Sequence, residues 1–340
     1  MNTLPAQKNR LHEIDILYAL GAILVILGHS HPNDWTTFPG EWVEFIYSFH
    51  MPLFFGVAGF LLASSQSIDR LGYGKWLWQK ALRLLTPYFI LSVLALVPKY
   101  ILEHRGFEGF TLQYLLSAFF VPRQNVWGHF WFLPVLFLLY GLFGLLRLAE
   151  KRWAKAWRYA VQSALLALLL ALHFLKPGIL WLGIQDVCDF AVYFLAGYML
   201  FDAYGKQCKD LPVLAHVFIS IVLLTASICI FKIWPASIYW NFLVSFLMLA
   251  CCWEIGQLLK NCKTKRLDFI ASFAFTFYIY SWPAQGIAEQ LCSRLHMPWY
   301  ATTPLMFAIG LLCPAAIIWL YRKYTFLHGR FAGLVLGIRR

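Results

Sequence analysis

The sequence predicts an all-α polytopic membrane helix bundle with about ten transmembrane helices. Three observations predict it. Hydrophobic residues fill 61% of the 340 positions, charged residues only 13%, and the mean hydropathy is +0.64. The apolar residues gather in runs close to the ~20 that cross a bilayer. These runs are continuous and do not alternate, which excludes a β-barrel and leaves helices to satisfy the backbone in lipid. The cations supply the third observation. With ten spans and an inner N-terminus, 22 of the 28 Lys and Arg fall on inner segments and 6 on outer ones, as the positive-inside rule requires. The net charge of +12 therefore follows topology, and nucleic acid is not an expected partner.

The expected spans are 14–30, 42–64, 83–101, 128–147, 158–175, 187–204, 211–231, 239–259, 269–290 and 303–321, all within one domain over 1–340. The first is apolar from Ile16 to Gly28 apart from Tyr18, with Asp15 before it and His29-Ser30-His31 after it. Residues 31–41 read as a Pro/Gly-containing outer loop, and Pro52 as a kink in the second span. Residues 65–82 read as a polar inner loop that delivers Lys80 and Arg83 to the third span. Residues 99–127 read as an outer segment. Asp186 and Asp189 stand at the outer start of the sixth span. Glu254 reads as the partner of an inner loop cation, and the Gly-Leu-Val-Leu-Gly piece near the C-terminus as a surface segment. The eight cysteines form no CxxC pair and mostly lie in apolar runs, so they read as small core residues and not as metal ligands. No cleavable signal peptide is expected, because the first run lacks a small-residue cleavage site and leads into further spans.

An ionisable residue at membrane depth is a candidate functional group. Along a helix, Asp15 and His29 stand ~21 Å apart, less than the ~30 Å hydrocarbon core. His29 therefore lies at or just below the outer interface. Asp15, Tyr18, Ala22, Val25 and His29 share one helix face. His50 and His129 enter from the same side. His29 and His129 also read as interfacial residues, His129 beside Trp127 and Trp131. Lys80 and Arg83 lie one turn apart on the inner side. There they fit phosphate groups, and they fit equally the ordinary cation excess of inner loops. Asp186 and Asp189 suit polyol hydroxyls or a helix start.

Four segments resemble acyltransferase family 3, the bacterial integral-membrane sugar O-acyltransferases. They are the Asp-initiated first helix ending Gly28-His29-Ser30, the stretch FHMPLFF followed by a Gly-Phe pair, the segment His129-Phe130-Trp131-Phe132-Leu133, and the stretch IASFAFTFYIYSWPAQ of the ninth span, similar to the family's Ser-…-Tyr-Leu-…-Trp-Pro. The basic pair Lys80 and Arg83 resembles the pair that the family associates with acyl-coenzyme A. Two positions depart from the pattern. Tyr18 stands where the family usually has an arginine thought to concern the acyl donor, and Ser281 where many members have a histidine.

The resemblance implies a multi-pass protein of the bacterial cytoplasmic membrane, both termini cytoplasmic. Its expected activity is transfer of an acetyl group from acetyl-CoA, a co-substrate and not a bound cofactor, to a hydroxyl of a cell-surface or lipid-linked glycan. His29 is the expected catalytic group, with His50, His129, Trp131, Asp186 and Asp189 in support around the acceptor. Lys80, Arg83 and the Tyr18 position are expected to contact the donor. No metal is expected. The alternative class is a transporter of a small solute or glycan precursor, compatible with Pro- and Gly-broken helices but without a visible inverted repeat.

Overall fold

The computed structural model describes residues 11–31, 38–104, 110–207, 211–234, 237–262, 264–324 and 328–338. The tail with Lys8 and Arg10 and most of the 31–41 loop lie outside them. Among the described residues there are thirteen α-helices and no strand: α1 His12–Gly28, α2 Phe38–Ser64, α3 Ser67–Leu71, α4 Tyr73–His104, α5 Leu112–Phe120, α6 Phe132–Glu150, α7 Lys155–Leu175, α8 Ile184–Gln207, α9 Val213–Ile233, α10 Ile238–Leu259, α11 Lys265–Arg294, α12 Trp299–Lys323 and α13 Arg330–Leu336. Ten are long, and each holds one expected span. Eight of these are long and apolar enough to cross a membrane. The other two are α1, which has 17 residues, and α11, whose ends carry Lys265, Arg266, Asp268 and Arg294.

Helix α1 is central. Its face with Ile14 and Leu17 packs against α2 and α10, and its face with Ala22 and Ile26 against α11 and α12. Tyr18 lies where these two apolar clusters meet a third, built from α2, α6, α8 and α11. In lipid, no water-driven force pulls helices together, so close approach depends on small residues. The α2–α8 crossing depends on two glycines. A Cβ on Gly59 would overlap the Phe194 carbonyl, and one on Gly197 would overlap the Gly56 carbonyl. Helix α9 packs on α10, α7 on α8, and α4 on α6, so α4, α7 and α9 sit at the periphery.

Three expectations for the loops need correction. The polar loop at 65–82 is short helix α3, a break at Gly72 with φ +75°, and then the first turns of α4. Lys80 and Arg83 are thus inside a helix of 32 residues, ~48 Å long and longer than the bilayer core. The same extension places Lys99 within α4, and residues 99–127 include α5. The C-terminal Gly-Leu-Val-Leu-Gly piece, expected at the membrane surface, begins within α13. It packs along α4, the Tyr280 hydroxyl donates to the Val335 carbonyl at 3.0 Å, and Ile338 is buried with Phe277 and Ile318. A helix of seven residues cannot cover its apolar side alone, and the groove beside α11 accepts it. Glu254 pairs with His216 of α9 instead of a loop cation.

Candidate functional site

Helix α1 runs out of hydrogen-bond donors at Gly28. His29 follows as its cap residue at φ −97° and ψ 10°, its N–H donating to the Val25 carbonyl. This projects the imidazole beyond the last turn. Two neighbouring elements supply the residues around it. From α2, the Tyr47 hydroxyl lies 3.0 Å from the Gly28 carbonyl and 3.2 Å from His29 Nδ1. One turn on, His50 is buried, its Nδ1–H donating to the Ile46 carbonyl at 2.9 Å, with its ring 5.1 Å from that of Tyr47. From the 3-10 turn Gly128–Trp131 that precedes α6, the His129 ring approaches His29 to 6.5 Å between centroids.

The third wall is α11. The Trp282 ring lies 6.2 Å from His29 and 4.9 Å from His129. Tyr278 donates its hydroxyl hydrogen to the His129 carbonyl, which fixes the turn from below. Gln285 donates to the Ile26 carbonyl and to Ser30 Oγ, both at 2.8 Å, tying α11 to the end of α1. His129 is buried, and the Ile279 backbone lies by its ring, yet neither ring nitrogen attains hydrogen-bond geometry. Above Trp282, the Lys99 ammonium lies 5.6 Å from that ring and 5.8 Å from Trp127, and it donates to the Val126 carbonyl. The result is a cluster of three imidazoles packed among Tyr47, Tyr278 and Trp282, with one ammonium beside Trp282. A neutral imidazole there can take a proton from a hydroxyl.

The other candidates fall into separate groups. Lys80 lies over the Tyr140 ring at 4.0 Å and Trp76 at 5.6 Å, and Arg83 over Phe275 at 5.2 Å. They line a crevice between α4, α6 and α11 and keep the one-turn spacing expected of them. Tyr18 lies 6.3 Å from the Phe54 ring, at the junction of the three core clusters. Asp186 is buried and holds Arg123, whose Nε and Nη2 donate at 2.9 and 2.6 Å. The guanidinium in turn covers the Trp131 ring at 3.7 Å. Asp189 accepts from Gln185 at 3.0 Å, and its backbone carbonyl accepts from His173. The two aspartates thus organise the start of α8, and their side-chain bonds among the described residues go to Arg123 and Gln185.

Sequence reasoning missed Tyr47, Lys99, Tyr278 and Gln285. Tyr47 had one usable signal, its place one turn before His50 on the same helix face. Lys99 was hidden by its reading as a loop cation. Among the described residues, no group of three His, Cys, Asp or Glu side chains is placed to hold a metal ion.

No curated protein and no solved structure matches the chain. The acyltransferase domain that defines acyltransferase family 3 matches residues 11–323, nearly the whole length, and the chain belongs to that family.

Proposed function

We propose that this membrane acyltransferase moves an acetyl group from acetyl-CoA to a hydroxyl of a cell-surface or lipid-linked glycan. The observation that carries the reading is the gathering of His29, His129 and Trp282, which we read as the lining of an acceptor recess. In the proposed reaction His29 removes the acceptor hydroxyl proton as the oxygen attacks the thioester carbonyl. The C–S bond breaks, and the coenzyme A thiolate leaves with that proton. Flat aromatic walls such as Trp282 and Trp127 suit the apolar face of a sugar ring, and the Lys99 ammonium offers hydrogen-bond donors at the edge. The donor is assigned to the Lys80 and Arg83 crevice, since coenzyme A carries phosphates and these two cations suit them. The cation bias supports an arrangement with the crevice facing the cytoplasm, the recess facing outward, and both termini cytoplasmic in a bacterial inner membrane.

Mass spectrometry of surface glycans, with and without this protein, tests the activity. An acetyl increment that vanishes with His29→Gln is the expected result, with a rate loss of about 10²–10⁴-fold for removal of a general base. Wild-type acetylation by the Gln variant would overturn the role of His29. Lys80→Gln with Arg83→Gln should raise the KM for acetyl-CoA with little change in protein level. An unchanged KM would return the pair to a topology signal.

A further inference from the structure

We infer that Tyr47 is a positioning residue that fixes the tautomer of His29, so that Nδ1 carries the hydrogen and Nε2 presents the lone pair. This rests on the reading of His29 as the base. The argument begins at the end of α1. The last carbonyls of a helix have no partner within it, and the Gly28 carbonyl is one of these. The Tyr47 hydroxyl, 3.0 Å away, is a donor to it, since a carbonyl oxygen can only accept. A phenol has one hydrogen. Committed to Gly28, the oxygen meets His29 Nδ1 at 3.2 Å as an acceptor. The hydrogen of that second bond must then sit on Nδ1. The protonated nitrogen of a histidine is set by the bond that its other nitrogen makes, and here the bond is made on Nδ1. An isolated neutral imidazole of a histidine side chain prefers the opposite tautomer, so the placement needs a partner such as this one.

The same contact explains the glycine before the histidine. A Cβ on Gly28 would lie 2.8 Å from Tyr47 Cε1, so any larger residue pushes the phenol off the helix end. The Tyr47 ring also lies 5.8 Å from the His29 ring, at a tilt of 58°, which limits how far the imidazole can swing. The oxygen accepts from Nδ1–H whether the imidazole is neutral or has taken the acceptor proton. One orientation therefore serves before and after proton transfer, which keeps reorganisation small.

The test uses the full-length protein in lipid nanodiscs, labelled with ¹⁵N-histidine. Solid-state NMR distinguishes a protonated from an unprotonated ring nitrogen, and the His29 signals are those lost in His29→Gln. The wild type should show Nδ1 protonated and Nε2 bare. Tyr47→Phe should shift His29 toward the Nε2–H form, and Gly28→Ala should do the same by displacing the ring. Acetyl transfer from radiolabelled acetyl-CoA to membrane glycans should fall about 10–100-fold in kcat in each variant, the size seen when an outer partner orienting a histidine is lost. The KM for acetyl-CoA should stay put, and the double variant should be no worse than Tyr47→Phe, since both remove one bond. His29 carrying its hydrogen on Nε2 in the wild type overturns the inference, as does an unchanged spectrum in Tyr47→Phe. Full activity of His29→Gln would instead overturn the proposed function and leave the tautomer assignment standing. If Tyr47→Phe fails to insert, the spectrum of Gly28→Ala decides alone.

Discussion

Helices α2 and α9 are both membrane-length and apolar, and the more apolar of the two is α9. Yet 83% of the membrane-length window of α2 is buried inside the bundle, against 17% for α9. Apolarity alone would reverse their positions. The difference comes from what each helix carries. Helix α2 has Gly56 and Gly59 for contact with α8, Tyr47 and His50 for the imidazole cluster, and its last carbonyls held by Arg147. Helix α9 turns Leu214, Phe218 and Ile221 outward, where lipid solvates them as well as protein would. In a bilayer, hydropathy reports that a helix spans, and small or polar residues report that it is central.

The largest expected effect tests that statement directly. Gly59→Val places branched carbons where the Phe194 carbonyl stands. A backbone atom cannot rotate away as a side chain can, so the cost should reach about 3 kcal/mol or more, the upper end for overpacking. Folded protein recovered from membranes should fall sharply. Phe218→Ala on α9, a bigger change in volume, should stay within about 0.5 kcal/mol. Equal losses in the two variants would break the comparison.

This contrast also marks what the sequence made legible. All ten long helices were visible as apolar runs, because lipid demands length and continuity whatever the packing. Ends were less legible. Lys75 and Lys80 read as loop residues leading into a span that opens at Arg83, because charge was taken to mean solvent, while α4 already starts at Tyr73. The histidines were found by their chemistry, and the structure brings His29, His50 and His129 together as geometry. Trp282 was visible as part of a motif, but nothing local in the sequence says that it faces His129 from 149 or more residues away in the chain, the span that also separates Tyr278 from the His129 carbonyl. Tyr47 was overlooked for a different reason: a tyrosine near an interface is ordinary in a membrane protein, and only the position of the Gly28 carbonyl gives it a task. Asp186 was legible as a functional-looking carboxylate, and its partner Arg123 was not.

That last pair gives the intermediate effect, at the N-terminal end of α8, the helix that α2 crosses. Asp186 is buried, and Arg123 bonds to it while covering Trp131. Asp186→Asn keeps the shape and an acceptor oxygen but removes the charge. A hydrogen bond to a charged group is worth about 1.5–3 kcal/mol, and Arg123 is half exposed, so a loss near the lower end is expected. The midpoint of thermal unfolding in nanodiscs should fall by a few degrees. No change would mean that the central pair of helices owes that end to glycine packing alone.

The smallest effect lies at the C-terminal end of α2. Arg147 of α6 donates to the carbonyls of Leu62 and Ala63, and Asp69 of α3 accepts from both Arg147, at 3.4 Å, and Lys151. Lys151, then Arg147, holds the Asp69 carboxyl below its ordinary value of 3.8. A carboxyl depressed on folding adds stability that is present above the unfolded value and is lost as pH falls through the lower folded one. Asp69 is largely open to solvent, so screening limits the contribution to about 0–1 kcal/mol. Asp69→Asn should therefore unfold slightly earlier than wild type at pH 7. The gap should begin to close as pH drops below about 4, where the unfolded carboxyl protonates. It should disappear once the folded carboxyl protonates too. A gap that persists unchanged into that acid range would show that Asn disturbs the α3 turn sterically. In that case Arg147 would secure the end of α2 without help from the Asp69 charge.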